Sequence, residues 1–172
     1  METVYNFING KQVPSRGTKA HPIYNPATGE QIRQVIMSTP DDVNEAVEVA
    51  HKAFAEWSAT SPLRRARIMF KFKELLERDW DSLARLIVEE HGKVYSDACG
   101  ELTRGLEVVE FSCGIPHLLK GEFSEQAGRG IDIHSSLQPL GVTVGITPFN
   151  FPAMVPMWMF PIALACGNTF IL

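Results

Sequence analysis

The 172 residues carry 16 Lys and Arg against 20 Asp and Glu, a formal charge of −4, with 45% apolar and 21% charged residues. This balance fits a soluble globular chain of one domain and argues against nucleic acid as the main partner, because a phosphate-binding surface shows a basic excess or run. Residues 1–6 lack a basic leader, and the apolar stretch over residues 149–172 is broken by Pro152, Pro156 and Pro161, so neither a secretory signal nor a membrane span is expected.

In chain order, Asn6-Phe7-Ile8 reads as a strand running into an Asn9-Gly10 turn. A second turn, Asn25-Pro26-Ala27-Thr28-Gly29-Glu30, lies between flanks over 22–24 and 31–36 that suit a β-hairpin. Helices follow. Thr39-Pro40-Asp41-Asp42 is a start signal, with Thr39 as N-cap and Pro40 in the first helical position. Val43, Ala46, Val47, Ala50, Phe54 and Trp57 then repeat at helical spacing. Ser61-Pro62 opens a second helix with Ile68, Met69, Phe72, Leu75 and Leu76 as its inner stripe, while Arg64, Arg65 and Arg67 are expected on a solvated face. Leu83, Leu86 and Ile87 mark a third, stopped at Gly92 in a left-handed cap. A longer helix over 96–113 places Ala98, Leu102, Leu106 and Val109 on one face and ends at Gly114 and Pro116.

From residue 121 the composition changes. Gly128-Arg129-Gly130 is a turn, and residues 131–137 alternate like a strand with one covered face. The β-branched run over 142–147 suits a strand buried on both faces, 151–166 a helix closed by Gly167, and 168–172 another buried strand. Together these make a βαβ unit and an α/β fold. A parallel strand needs neighbours on both sides, so an apolar end at 169–172 is expected in a fragment of a longer protein. Cys99, Cys113 and Cys166 are odd in number and lack CxxC spacing, which points to a reducing, cytoplasmic setting without a metal site.

The chemistry is expected in Ile146-Thr147-Pro148-Phe149-Asn150-Phe151-Pro152, where a buried strand runs into a helix. Ligands of open α/β sheets sit at the carboxyl ends of strands. Pro148 and Pro152 stiffen the turn, and Asn150 between them offers a neutral amide that can donate to a developing oxyanion. The other reading of Asn150 is a cap for the following helix.

Together with Trp158 and residues 163–169, this segment resembles the Pro-Trp-Asn-Phe-Pro region of aldehyde dehydrogenases. Residues 6–10 and 24–30 resemble that family's opening strand and hairpin. Residues 54–57 with Arg64 and Arg65 resemble its early helices, and Glu90-His91-Gly92-Lys93 the segment that introduces its tunnel-lining helix. The likeness covers essentially the whole chain. Phe149, where most members carry Trp, and residues 154–161 resemble the methylmalonate-semialdehyde dehydrogenase branch, which acylates CoA.

The resemblance implies a partial aldehyde dehydrogenase fold. Residues 1–120 would belong to the NAD-binding domain, 121–140 to a strand segment that crosses to a partner subunit, and 141–172 to the start of a Rossmann-like core. It further implies NAD as cofactor, CoA as co-substrate, a small aldehyde bearing a carboxylate, a homodimer or homotetramer, and no nucleic-acid or membrane partner. Asn150 would be the catalytic oxyanion donor, and Ile146, Thr147, Pro148 and Phe149 would border the cofactor. Arg104 would bind the substrate carboxylate, against the alternative of a surface Arg paired with Glu101 or Glu107. The catalytic cysteine and glutamate of the family would lie outside these residues, leaving this chain alone inactive. Two other readings stand beside this one: a non-acylating NAD(P) aldehyde dehydrogenase, and a non-catalytic assembly fragment.

Overall fold

The computed structural model describes residues 2–172, so Met1, the first residue of the stretch without a leader, lies outside the described residues. Three short strands come first, β1 (Glu2–Val4), β2 (Asn6–Ile8) and β3 (Lys11–Val13). Asn9 and Gly10 take left-handed backbone, φ 54° and 73°, the pair of conformations that a two-residue hairpin between twisted strands demands. β2 and β3 pair antiparallel across that turn. β4 (Ala20–Tyr24) and β5 (Gln31–Ile36) form the second hairpin, and β1 joins β5 in parallel to give the order β1-β5-β4.

α1 (Pro40–Ala59) begins at a capping box between Thr39 and Asp42. The buried Asp42 carboxylate also accepts from the Ser15 hydroxyl at 2.9 Å and the Arg16 amide at 3.1 Å, which ties the loop before β4 to the helix start. The inward side of α1 is formed by Ala46, Val49, Ala50, Phe54 and Trp57, while Val43 and Val47, expected in the stripe, are exposed. α2 (Pro62–Arg78) carries the Pro62 start, although Ser61 makes no side-chain cap. Ile68 is exposed, and Arg65, expected in solvent, is buried. Period alone selects a stripe; which part of it meets a neighbour is decided by the packing of distant elements.

α3 (Trp80–His91) ends at Gly92 in left-handed backbone, φ 81°. A Cβ there would also fall 2.6 Å from Pro26 Cγ, so the cap doubles as the place where the second hairpin meets the helix. α4 (Tyr95–Cys113) runs into a short turn of helix, α5 (Ile115–Leu118), that the Pro116 break had hidden. β6 (Phe123–Gly128) and β7 (Ile131–His134) make an antiparallel ribbon. The covered face expected over 131–137 is absent among the described residues: every residue of β7 is exposed.

β8 (Val142–Val144), α6 (Met154–Ala165) and β9 (Thr169–Ile171) form the βαβ unit, with β8 parallel to β9. β8 stops at Val144, earlier than the 142–147 run suggests, and Val144 is exposed, with β9 the one strand paired to β8 among the described residues. α6 is apolar around its circumference, the pattern of a helix packed on all sides, and buries Met154, Val155, Pro156, Met157, Pro161 and Ala165. It lies against α4 over the core of Ala84, Ile87, Ala98, Leu102, Val109 and Met157. Gly105 makes that approach possible, since a Cβ there would sit 2.3 Å from Met157 Cε.

Candidate active site

The turn over residues 147–153 connects the carboxyl end of β8 to α6, the position at which open α/β sheets bind ligands. Ile146 and Phe149 are each 91% exposed, so two large apolar side chains stand open at this edge. Asn150 is exposed and its side chain makes no hydrogen bond among the described residues. The helix-cap reading of Asn150 fails, because α6 has Ala153 at its cap position and no side chain of its own turn caps it.

The cap comes from another helix. Glu101 Oε1 accepts from the Ala153 amide at 2.7 Å and the Met154 amide at 3.0 Å, satisfying two donors that a helix start leaves free. Glu101 is fully buried, and its Oε2 pairs with Lys93 Nζ at 2.6 Å. Burial pushes this carboxyl up, but the Lys93 ammonium and the Met154 and Ala153 amides outweigh it and hold it below the ordinary carboxylate range. Lys93 also donates to the Asn150 carbonyl at 3.1 Å and sits 4.6 Å over the Phe151 ring.

The opposite end of α6 is held as firmly. The Trp57 indole donates to the Leu164 carbonyl at 3.0 Å, and Arg65 Nε donates to the Ala165 carbonyl at 3.0 Å. Arg65 Nη1 reaches the Thr60 carbonyl at the end of α1. A buried carboxylate at the start of α6 and a buried guanidinium at its end both match the helix dipole. Asn168 accepts from the Leu140 and Gly141 amides at 2.7 and 3.1 Å, which fixes the entry into β8.

Beside the turn lies a cleft of about 650 Å³, walled by Phe149 and Asn150, by Tyr24 and Pro26 of the second hairpin, and by Leu86 and His91 of α3. Arg33 joins two of these walls: it pairs with Glu90 at 2.9 Å and Glu89 at 3.1 Å on α3, and with Glu2 at 2.9 Å on β1. Thr147, Pro148, Phe149 and Asn150 are thus brought together at one strand end, with Ile146 next to them. Arg104 is exposed on α4 and makes no ion pair among the described residues; Glu101, its suggested partner, is engaged by Lys93. Cys113 is buried, Cys99 and Cys166 are half-buried, and burial pushes the Cys113 and Cys166 thiols up, away from the activated range of a nucleophile.

Sequence reading missed Lys93 and Glu101 as partners of the turn. The signal was there: Glu101 lies on the same helical face as Ala98, Leu102, Gly105 and Val109, and a carboxylate on a buried stripe requires a partner.

The aldehyde dehydrogenase family model matches residues 13–172. The chain belongs to the aldehyde dehydrogenase family. It is 49% identical over its whole length to the malonate-semialdehyde dehydrogenase of Pseudomonas aeruginosa, covering 34% of that protein. Over 99% of its length it is 52% identical to malonate-semialdehyde dehydrogenase 2 of Bacillus anthracis, covering 35% of it. Among solved structures, the methylmalonate-semialdehyde dehydrogenase of Oceanimonas doudoroffii superposes with a TM-score of 0.96 at 54% identity, over 99% of this chain and 35% of the other. A Sinorhizobium meliloti 1021 protein assigned to the same enzyme class, solved with NAD, gives 0.98 at 51% identity over 100% of this chain and 35% of the other. This family member therefore spans about a third of the length of these relatives. No helix among its described residues is long and apolar enough to cross a membrane.

Proposed function

We propose that the chain is the N-terminal portion of an NAD-dependent, CoA-acylating aldehyde dehydrogenase acting on malonate or methylmalonate semialdehyde. The product is acetyl-CoA or propanoyl-CoA, with loss of CO2. The observation that supports this reading most is the uncommitted Asn150 amide, held on a stiff turn at a strand's carboxyl end in a chain about 50% identical to proteins named malonate- or methylmalonate-semialdehyde dehydrogenase.

The thiolate that attacks the aldehyde belongs, on this reading, to the part of the enzyme beyond these residues. Asn150 donates to the oxygen that becomes negative during the attack; a fixed neutral donor favours that charge without a proton changing hands. Ile146, Thr147, Pro148 and Phe149 form the wall against the nicotinamide-ribose end of NAD. Exposed Ile146 and Phe149 fit that role, because an apolar surface at this edge needs a partner. NAD held there would supply the acceptor for the hydride that leaves the substrate carbon. Arg104, cationic and without an ion-pair partner among the described residues, takes the substrate carboxylate through its forked donors.

Residues 1–120 and 141–172 belong to the cofactor domain in this reading. Residues 121–140 serve as the strand segment that meets a partner subunit in a homodimer or homotetramer. Exposure of Phe123, Ile131 and Ile133 on the β6–β7 ribbon supports that assignment. Three free thiols fit a cytoplasmic enzyme. The test is the product formed by the full-length polypeptide from malonate semialdehyde and NAD, with and without CoA. Acetyl-CoA and CO2, formed with one NADH each, are expected; a free acid formed at the same rate without CoA would favour a non-acylating enzyme.

A further inference from the structure

Glu101 is the largest fully buried side chain of the described residues, and its carboxylate is closed to solvent. One oxygen takes the Ala153 and Met154 amides, the other the Lys93 ammonium. Lys93, with a side chain 11% exposed, reaches on to the Asn150 carbonyl and lies over the Phe151 ring. The backbone of the turn is therefore gripped at residue 150, at the ring of 151 and at the amides of 153 and 154. Pro148 and Pro152 restrict it from within.

We propose that Lys93 and Glu101 are positioning residues for the reaction: they fix the turn by its backbone so that the Asn150 side chain is left uncommitted and aimed. This rests on the reading of Asn150 as the oxyanion donor. A helix start normally draws its cap from its own preceding residues, and here the nearest of them with a polar side chain is Asn150, three residues before the cap position at Ala153. A carboxylate from α4 takes that duty and removes the competition. A charged pair suits the task better than apolar packing, because hydrogen bonds to specified amides and one carbonyl set direction as well as distance. Small misplacements of a reacting group cost large factors in rate. Glu101 and Lys93 touch neither substrate nor cofactor in this account and act only through Asn150.

The experiment is a double-mutant cycle in the full-length enzyme, Glu101→Gln crossed with Asn150→Ala, reading kcat at saturating substrate together with NAD affinity. Glu101→Gln keeps an oxygen for the two amides and loses the ionic grip of Lys93. It should lower kcat about tenfold in the wild-type background and less than about twofold once Asn150 is Ala, since the positioned group is gone. Losses that multiply in the double variant would show that the pair supports the fold in general and overturn the positioning role. A normal kcat for Asn150→Ala alone would instead overturn the reading of Asn150, and the positioning role with it. Should Glu101→Gln not fold, the same cycle with Lys93→Met decides by the same criteria, and Lys93→Arg should recover part of the lost rate.

Discussion

Arg65 offers the sharpest test of how α6 is held. Arg65→Met keeps most of the side chain's apolar bulk and removes the guanidinium that serves three carbonyls, Ala165 at 3.0 Å, Ser58 at 3.4 Å and Thr60. Arg65 and Ala165 are both buried, so the Ala165 oxygen has little access to water after the change. A hydrogen bond to a charged group contributes about 1.5–3 kcal/mol, and a buried acceptor left unpaired costs about 1–3 kcal/mol. Against this stands the relief of burying a cation. That burial lowers the Arg65 pKa, and Cys166 opposes the shift. The net loss should be about 3 kcal/mol. For a chain of this size that corresponds to roughly 6–12 °C in melting temperature. Urea unfolding followed by far-UV circular dichroism should show the midpoint falling with little change in slope. Arg65→Lys retains the charge but not the fork, and should lose about half as much. An Arg65→Met protein within about 0.5 kcal/mol of wild type would refute the assignment of Arg65 as the clamp between α1 and α6.

Arg104→Leu in the full-length enzyme should cost about 2–4 kcal/mol in kcat/KM for the carboxylated semialdehyde and little for propanal; equal losses would mean that Arg104 supports the fold and not the substrate. Asp42 is held down at about 2 from an ordinary 3.8, first by the Thr39 amide and then, against the cost of burial, by the Arg16 amide and the Ser15 and Thr39 hydroxyls. A depressed carboxyl contributes stability above its unfolded pKa and loses it as pH falls through the folded one. The stability gap between wild type and Asp42→Asn should therefore close as pH drops from about 4 to 2. A gap that stays constant across that window would show that the capping-box contacts do not depend on the charge of Asp42.

Much of this architecture was legible because it rests on short-range chemistry. Asn9-Gly10 encodes its hairpin, Thr39-Pro40 its helix start, and Gly92 its left-handed stop, each within a few residues of sequence. The turn carrying Asn150 could be found in the same way, since a β-branched run, two prolines and a following apolar helix are local features. What lay beyond reach was set by partners far along the chain. Arg65 is buried because Ala165, a hundred residues later, needs a donor. Trp57 likewise serves Leu164, 107 residues away. The positive run around Arg65 gave no sign of this, as a basic stretch on a helix normally faces water. Val43, Val47 and Ile68 fit a helical stripe yet stand exposed, and so does the β6–β7 ribbon. Glu101 stands between the two cases: its misfit on an apolar face was visible, its partner was not.

On this reading Asn150 stabilises the transition state and does not merely shape the turn. Kinetics of Asn150→Ala in the full-length enzyme, with NAD affinity measured alongside by fluorescence quenching, tests it most directly. Loss of one oxyanion donor typically removes about 3 kcal/mol of transition-state stabilisation, so kcat should fall roughly a hundredfold while NAD affinity stays within about twofold. A near-normal kcat, or a loss confined to NAD affinity, would contradict the account.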